Sequence, residues 1–453
     1  MHHNNVQTKL LMFEILGGKN ITYKPTIGFC PATISLGETL PQLKIAKKYV
    51  ESGGKAIFFS HRSGWYTYLI KENGFKVVNL KEVNWSKLRS TNKKKMTLEK
   101  QLLIPYDRTN IEGVVESEID AFKNEGIDLI VSSFTPTCCI SSRVLKIPLV
   151  VLASGTASSL YYRSGYATFP ENYENVFTKM LPTFFKKYIT RWMLLNNKVL
   201  VKDFNKVAKK YNIRTFKTLN EIFESGHTLF CDDINFLGIK PTKEFPIENF
   251  IGPILPDYSF DKDGRTIDSE TENHLKKNNR SILVTLGSSG TKQIFLEILN
   301  VLNKTNYNVI AVYADIVKSN EIPDLNDNIL LKKFVPSIKK VNEMVDLAII
   351  HGGRGTIYTA AYSGKPIIGI PMHIEQQYNI DCLVRHGIGL RLSKKFFKPK
   401  NFLQAINEIF DNYDTFFKNA QKLSAKLQKT PMEDKALQIL MRILDEKNKL
   451  NKS

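Results

Sequence analysis

Residues 345–366 read VDLAIIHGGRGTIYTAAYSGKP. The apolar run 347–350 predicts a buried strand, and a helical pattern begins near Thr356. Between them lies almost bare backbone: Gly352, Gly353 and Gly355, beside His351 and Arg354. Glycine lets main-chain N–H groups approach a ligand closely. A helix N-terminus adds unpaired N–H donors and partial positive charge. In open α/β sheets such loops lie at the carboxyl ends of strands, where ligands bind. The loop therefore suits a phosphate. A tight strand-to-helix turn with no ligand would use the same residues, so the loop alone leaves both readings open.

Outward from this loop, short apolar runs alternate with helical patterns. SILVTLGSSG (281–290), YNVIAVY (307–313), NILLKKFVP (328–336) and KPIIGIP (365–371) predict strands of the same sheet. An earlier series, TIGFCPA (26–32), KAIFFSH (55–61), FKVVNL (75–80), IDLIVSS (127–133) and IPLVVLAS (147–154), predicts a second sheet. Residues 40–54 carry helical spacing that ends in Gly53-Gly54. The fold class is α/β, with two doubly wound parallel sheets, and 453 residues suit two domains. The boundaries read as a tail at 1–24, a first domain at 25–253, a Pro-, Gly- and Asp-rich linker at 254–280, and a second domain at 281–430. An amphipathic helix at 431–453 is expected to pack back on the first domain.

The net charge of +20 implies an anionic partner. One basic cluster holds Lys87, Arg89, Lys93, Lys94, Lys95 and Lys100. Another runs from Lys186 to Lys210, interleaved with Phe184, Phe185, Tyr188 and Trp192. Cations beside aromatics suit an anionic membrane surface. A solvated lysine-rich face is the plainer alternative. No nucleic-acid motif accompanies the charge, so no nucleic-acid partner is expected. Five cysteines without a C-x-x-C pair argue against a disulfide framework and a zinc site, and favour a reducing cytoplasm. No apolar run reaches membrane-spanning length.

Two neighbouring stretches bear on the loop. PMHIEQQYN (371–379) brings together Glu375, Gln376 and Asn379, which suit sugar hydroxyls and equally a solvated helix start. FVPS (334–337) sets Phe334 at a strand end, either to stack on a base or to fill core.

Together, FVPS, HGGRGTIYTAAYSGKPIIGIPMHIEQQYN and GIGLRL resemble the donor-site signature of nucleotide-sugar glycosyltransferases of the two-domain GT-B fold. The similarity is to UDP-glycosyltransferases and to their macrolide-glycosyltransferase and MurG-like relatives. It implies two Rossmann-like domains facing a central cleft. Phe334 would stack on uracil, with Val335 offering backbone to the base. His351, Gly353, Gly355 and Thr356 would bind the diphosphate, with Gly287 and Ser288 lining the same cleft. Glu375 and Gln376 would hold the donor sugar. Arg354 falls at a variable position and would either help the leaving diphosphate or face solvent. Thr359 stands where the family usually has a ribose-binding Glu.

In the first half, Gly37-Glu38-Thr39-Leu40-Pro41 resembles the family's acceptor loop, G-H-x-x-P, with Glu38 in place of the general-base His. Gly37 and Thr39 belong to this loop. Ser133 occupies the place of the Asp that orients that His. Either Glu38 is itself the base, or it only caps a helix. His61, after the second strand, is a further candidate.

The resemblance implies an inverting hexosyl transfer from a UDP-sugar co-substrate to a lipid or other apolar alcohol. No metal and no other cofactor is expected, and the setting is cytoplasmic or peripheral on a membrane. A non-catalytic sugar-nucleotide or glycan-binding protein and a sugar-nucleotide epimerase of the same fold remain alternatives.

Overall fold

The computed structural model describes residues 25–61, 64–81, 108–253, 255, 267–276, 279–314, 316–427 and 432–450. The expected tail at 1–24 and the first basic cluster lie outside them. The first sheet holds β1 (Thr26–Pro31), β2 (Lys55–His61), β3 (Lys76–Leu80), β4 (Leu129–Ser133), β5 (Leu149–Ala153) and β6 (His227–Phe230). The second holds β7 (Ser281–Thr285), β8 (Asn308–Val312), β9 (Ile329–Lys332), β10 (Leu347–Ile350), β11 (Ile367–Gly369) and β12 (Gly389–Arg391). Every pairing is parallel. Strands β1, β4, β7, β8, β10 and β11 are buried along their whole length, as strands covered on both faces must be. Their continuous apolar runs follow from that.

The sheet orders are β3-β2-β1-β4-β5-β6 and β12-β11-β10-β7-β8-β9. These are the same doubly wound order twice. Strand order reverses between β1 and β4 in one lobe and between β7 and β10 in the other, and ligands of such folds bind at these switch points. Each sheet has a sixth strand beyond the five expected. β6 and β12 have four and three residues, too few to show a period.

The helices include α1 (Leu36–Glu51), α2 (Val176–Met180), α3 (Thr183–Leu195), α4 (Arg354–Ser363), α5 (Ile374–Arg385) and α6 (Met432–Leu450). α1 follows β1 directly. It starts four residues before the predicted helix, so the expected acceptor loop is its first turn. α4 follows β10 and ends on Gly364, whose φ of +63° supplies the left-handed cap. α6 packs on the first lobe, with Met432, Leu440 and Leu444 in one cluster with Ile27, Val131 and Ile251. Lys48 pairs with Asp434 at 3.0 Å there. Within the expected linker, helix Ser269–Leu275 starts on Asp268, whose carboxylate accepts the Thr271 N–H.

Candidate functional site

The two lobes meet through polar contacts around α4 and α5. Tyr358 of α4 donates its hydroxyl to Asp232, just beyond β6, at 2.9 Å and accepts the Asp233 N–H at 2.9 Å. Asp232 is fully buried and also accepts the Gly155 N–H at 2.6 Å. Burial pushes its carboxyl up to about 6, against the pull of Arg354. Asn379 of α5 accepts the Thr156 hydroxyl at 2.6 Å and donates to Gly352 O at 2.9 Å. It thus stitches the first lobe to the glycine loop. Gln377 donates to Thr168 and Phe169 O and accepts the Glu171 N–H. An apolar cluster shared by Leu160, Tyr161 and Phe236 with Ile357, Tyr358 and Tyr378 backs these bonds.

The glycine loop lies at the β7–β10 switch point. His351 follows β10 and is 7% exposed. Its imidazole fills the space between two glycines. A Cβ on Gly287 would stand 2.5 Å from its Cε1, and one on Gly353 would stand 2.5 Å from its Nε2. These glycines are bare because a buried ring needs their place. Burial, then the neighbouring His373, push the His351 imidazole down to about 4, so it is neutral at pH 7. Its Nδ1 is buried without a hydrogen-bond partner among the described residues, and so is that of His373, the residue before α5. These two imidazole nitrogens, one before α4 and one at the start of α5, are unmet polar capacity.

Thr356 donates its hydroxyl to Gly353 O at 2.9 Å, and Gly355 faces open space. Phe334 is 64% exposed, so it is not core, whereas Val335 is buried. Lys333 Nζ lies 5.7 Å from the Phe334 ring centroid. The side chain of Ser288 lies outside the described residues.

Of the two readings of Arg354, aiding the leaving diphosphate or facing solvent, its burial removes the second. Its Nη2 donates to Glu38 Oε1 at 2.6 Å, across the cleft, with both side chains less than one-fifth exposed. Burial, Glu38, Cys231, Glu375 and Asp232 are, in that order, the influences on its guanidinium. Gly37 O lies 3.5 Å from the same nitrogen. That carbonyl lacks a helical partner because the residue four on is Pro41, which has no N–H.

Glu38 therefore does not act as a cap. Ser35 is the N-cap residue, and the Glu38 carboxylate lies in the first turn facing Arg354. Burial raises its carboxyl above the ordinary range, opposed by Arg354 and reinforced by Glu375. Ser133 sits beneath it, donating to Glu38 O at 3.2 Å and accepting from Gln42 at 2.9 Å.

Three further expectations change. Thr39 is fully buried and donates back to Ser35 O at 2.9 Å, so it faces the interior and not an acceptor. Gln376 is 4% exposed, accepts the Met372 N–H and donates to Ser289 Oγ, both at 2.9 Å. It ties two cleft loops together instead of offering a free amide. Thr359 donates to Thr356 O and accepts from Asn342, which uses the hydroxyl a ribose would need. Glu375 is half-buried beside Arg354 and makes no hydrogen bond among the described residues. His61 lies at the end of β2, hydrogen-bonded to Lys81 O at 2.7 Å. Asp232, Tyr358 and Thr156 were not foreseen. The only signal was the pair of carboxylates at 232–233 after an apolar run.

Comparison with known proteins agrees with this architecture. Residues 281–436 match the glycosyltransferase family 28 C-terminal domain. A PGL/p-HBAD biosynthesis glycosyltransferase of Mycobacterium tuberculosis is 26% identical over 211 residues, which is 46% of this chain and 45% of that protein. The chain thus spans about half the length of such curated relatives. UDP-glycosyltransferase UGT4 of Dactylopius coccus is 29% identical over 143 residues, 31% of this chain and 27% of that one. Among solved structures, the glycotransferase of kitacinnamycin aligns with a TM-score of 0.67 at 17% identity, covering 93% of this chain and all of that one. CalG4, the calicheamicin glycosyltransferase, aligns with a TM-score of 0.66 at 14% identity, covering 94% and 99%. The resemblance read from the donor-side residues therefore holds: the chain has the GT-B glycosyltransferase fold, and residues 281–436 are similar to the glycosyltransferase family 28 C-terminal domain.

Proposed function

We propose that the protein is an inverting glycosyltransferase that moves a sugar from a nucleotide diphosphate donor, a UDP-sugar, to the hydroxyl of a lipid or other apolar acceptor. The observation that carries this reading is the 2.6 Å pair between Glu38 and Arg354. It sets a buried carboxylate of one switch point against the anion-ready loop of the other.

Donor diphosphate enters at Gly353, Gly355 and Thr356, where the α4 N-terminus favours negative charge. The orphaned His351 Nδ1 lies beside this loop, and the Phe334 face is open to a base. Arg354 turns from Glu38 to the diphosphate, since guanidinium binds phosphate with two parallel bonds. That exchange frees Glu38 as a base whose raised proton affinity suits an alcohol. The acceptor O–H proton passes to Glu38, and the acceptor oxygen bonds to the anomeric carbon from the opposite face. The bond from that carbon to the phosphate oxygen breaks, and its electrons leave on UDP. Glu375, beside Arg354 and without a hydrogen bond among the described residues, holds a sugar hydroxyl.

The test incubates the full chain with UDP-sugars, with and without lipid alcohols. Glycosylated alcohol supports the reading. An epimerised donor without acceptor supports the epimerase alternative. UDP binding with no turnover supports a non-catalytic binder, and no melting shift with any nucleotide removes the donor site altogether. Saturation at 100 times the dissociation constant stabilises by about 2.7 kcal/mol.

A further inference from the structure

Large apolar side chains left in solvent concentrate on one short stretch. Phe177 and Met180 of α2 are 82% and 80% exposed, and Phe184, Tyr188 and Trp192 of α3 are 66%, 69% and 61% exposed. The last three recur every fourth residue and so share one face of α3, while Thr190 and Leu194 are buried on the other. Phe185 joins them, its ring 4.6 Å from that of Phe184. The cluster is continuous across the seam between lobes, since Lys179 Nζ of α2 lies 3.3 Å over the Phe396 ring.

The charge around these rings is mostly positive: Glu174, just before α2, pairs with Lys186 at 3.8 Å. Residues 175–202 contain six cations and no carboxylate. Lys187, Arg191 and Lys198 are exposed and make no ion pair among the described residues. A second copy of this chain would bring like charges together on that face. An anionic bilayer accepts both features: rings settle at the headgroup level while cations meet lipid phosphates. No described helix is long and apolar enough to cross a membrane. Contact is therefore in the plane of the interface.

We propose that α2 and α3 form a docking surface for an anionic lipid bilayer, with Phe177, Met180, Phe184, Tyr188 and Trp192 entering the interface and Lys187 and Arg191 meeting anionic headgroups. This goes beyond the transferase reading and does not depend on it, because its test contains neither donor nor acceptor.

The full chain is sedimented with phosphatidylcholine vesicles and with vesicles of phosphatidylcholine mixed with phosphatidylglycerol, at low and high salt. Binding is expected to the mixed vesicles only and to weaken with salt. Phe184→Ser/Trp192→Ser should abolish it. Lys187→Gln/Arg191→Gln should weaken it about 30-fold, from roughly five-fold per cation. Both variants change exposed positions, and unchanged circular dichroism and melting confirm that they are folded. Quenching by brominated lipid should report Trp192 and vanish in Trp192→Phe. No binding to anionic vesicles at low salt overturns the proposal. So does binding that the ring variants leave unchanged, or a dimer or RNA complex that they dissolve instead.

Discussion

At the scale of single residues the site turns on Arg354. One guanidinium faces Glu38, Glu375 and Asp232, so removing it changes charge on both sides of the cleft. Glu38→Gln is expected to lower kcat about 10²- to 10⁴-fold, the usual share of a positioned base. The melting shift with UDP should survive, since Glu38 holds no nucleotide. Loss of both would mean that Glu38 is structural. Arg354→Ala should raise the donor KM and also move the acid limb of the kcat/KM profile to higher pH. The sign follows from Arg354, whose charge lowers the Glu38 pKa while burial raises it. An unmoved acid limb would take Glu38 out of the proton transfer. Gly353→Ala is a third case. Its Cβ would stand 2.5 Å from His351 Nε2, so the ring or the loop must shift. Overpacking of this kind costs roughly 1–3 kcal/mol, and nucleotide binding should fall with it, read by calorimetry.

At the scale of elements, α4 and α5 serve two lobes at once. Their N-termini face the cleft while Tyr358, Gln377 and Asn379 bond the first lobe. Tyr358→Phe deletes a hydroxyl that both donates to Asp232 and accepts from Asp233. Leaving buried groups unpaired costs about 1–3 kcal/mol, so a lower urea midpoint is expected at an unchanged slope. A changed slope would show instead that the lobes separate before they unfold. The helices and strands that build these lobes were legible in short windows. Strands β1, β4, β7, β8, β10 and β11 fall within the predicted runs, because fully buried parallel strands read as continuous apolar stretches. β6 and β12 were not, since three or four residues carry no period. The start of α1 was missed for a different reason. Gly37 and Pro41 look like loop residues, yet Gly37 is the exposed second residue of the helix, where Arg354 meets its carbonyl.

At the scale of the whole molecule, two buried histidines at the cleft face of the second lobe should make stability sensitive to acid. His351 and His373 both have folded-state pKa values near 4, against an ordinary 6.5. A depressed pKa means that the unfolded chain binds the proton more readily. The contribution to stability is then fully present above about pH 6.5 and is lost as pH falls toward 4. For His351, which is the more buried, the gap between 6.5 and about 4 is worth at most roughly 3 to 4 kcal/mol. In His351→Gln the melting temperature should fall less between pH 7 and about pH 5 than in the native chain. An identical fall would show that His351 does not couple folding to protons.

The sequence by itself determined the pair of doubly wound lobes and the strand–loop–helix at 345–363, whereas the exposure of Phe334 came only with the structure. Those lobes and that loop depend on neighbours within a few residues, where apolar run length, glycine and helix spacing act directly. Tertiary structure alone decided what Glu38 and Arg354 do, for they are 316 residues apart and meet only when two separate sheets face each other. It also decided that Thr39 and Gln376 are held inside and that Asp232 anchors Tyr358. A side chain's partners across a cleft are set by how two folded lobes pack, and no local pattern records that packing.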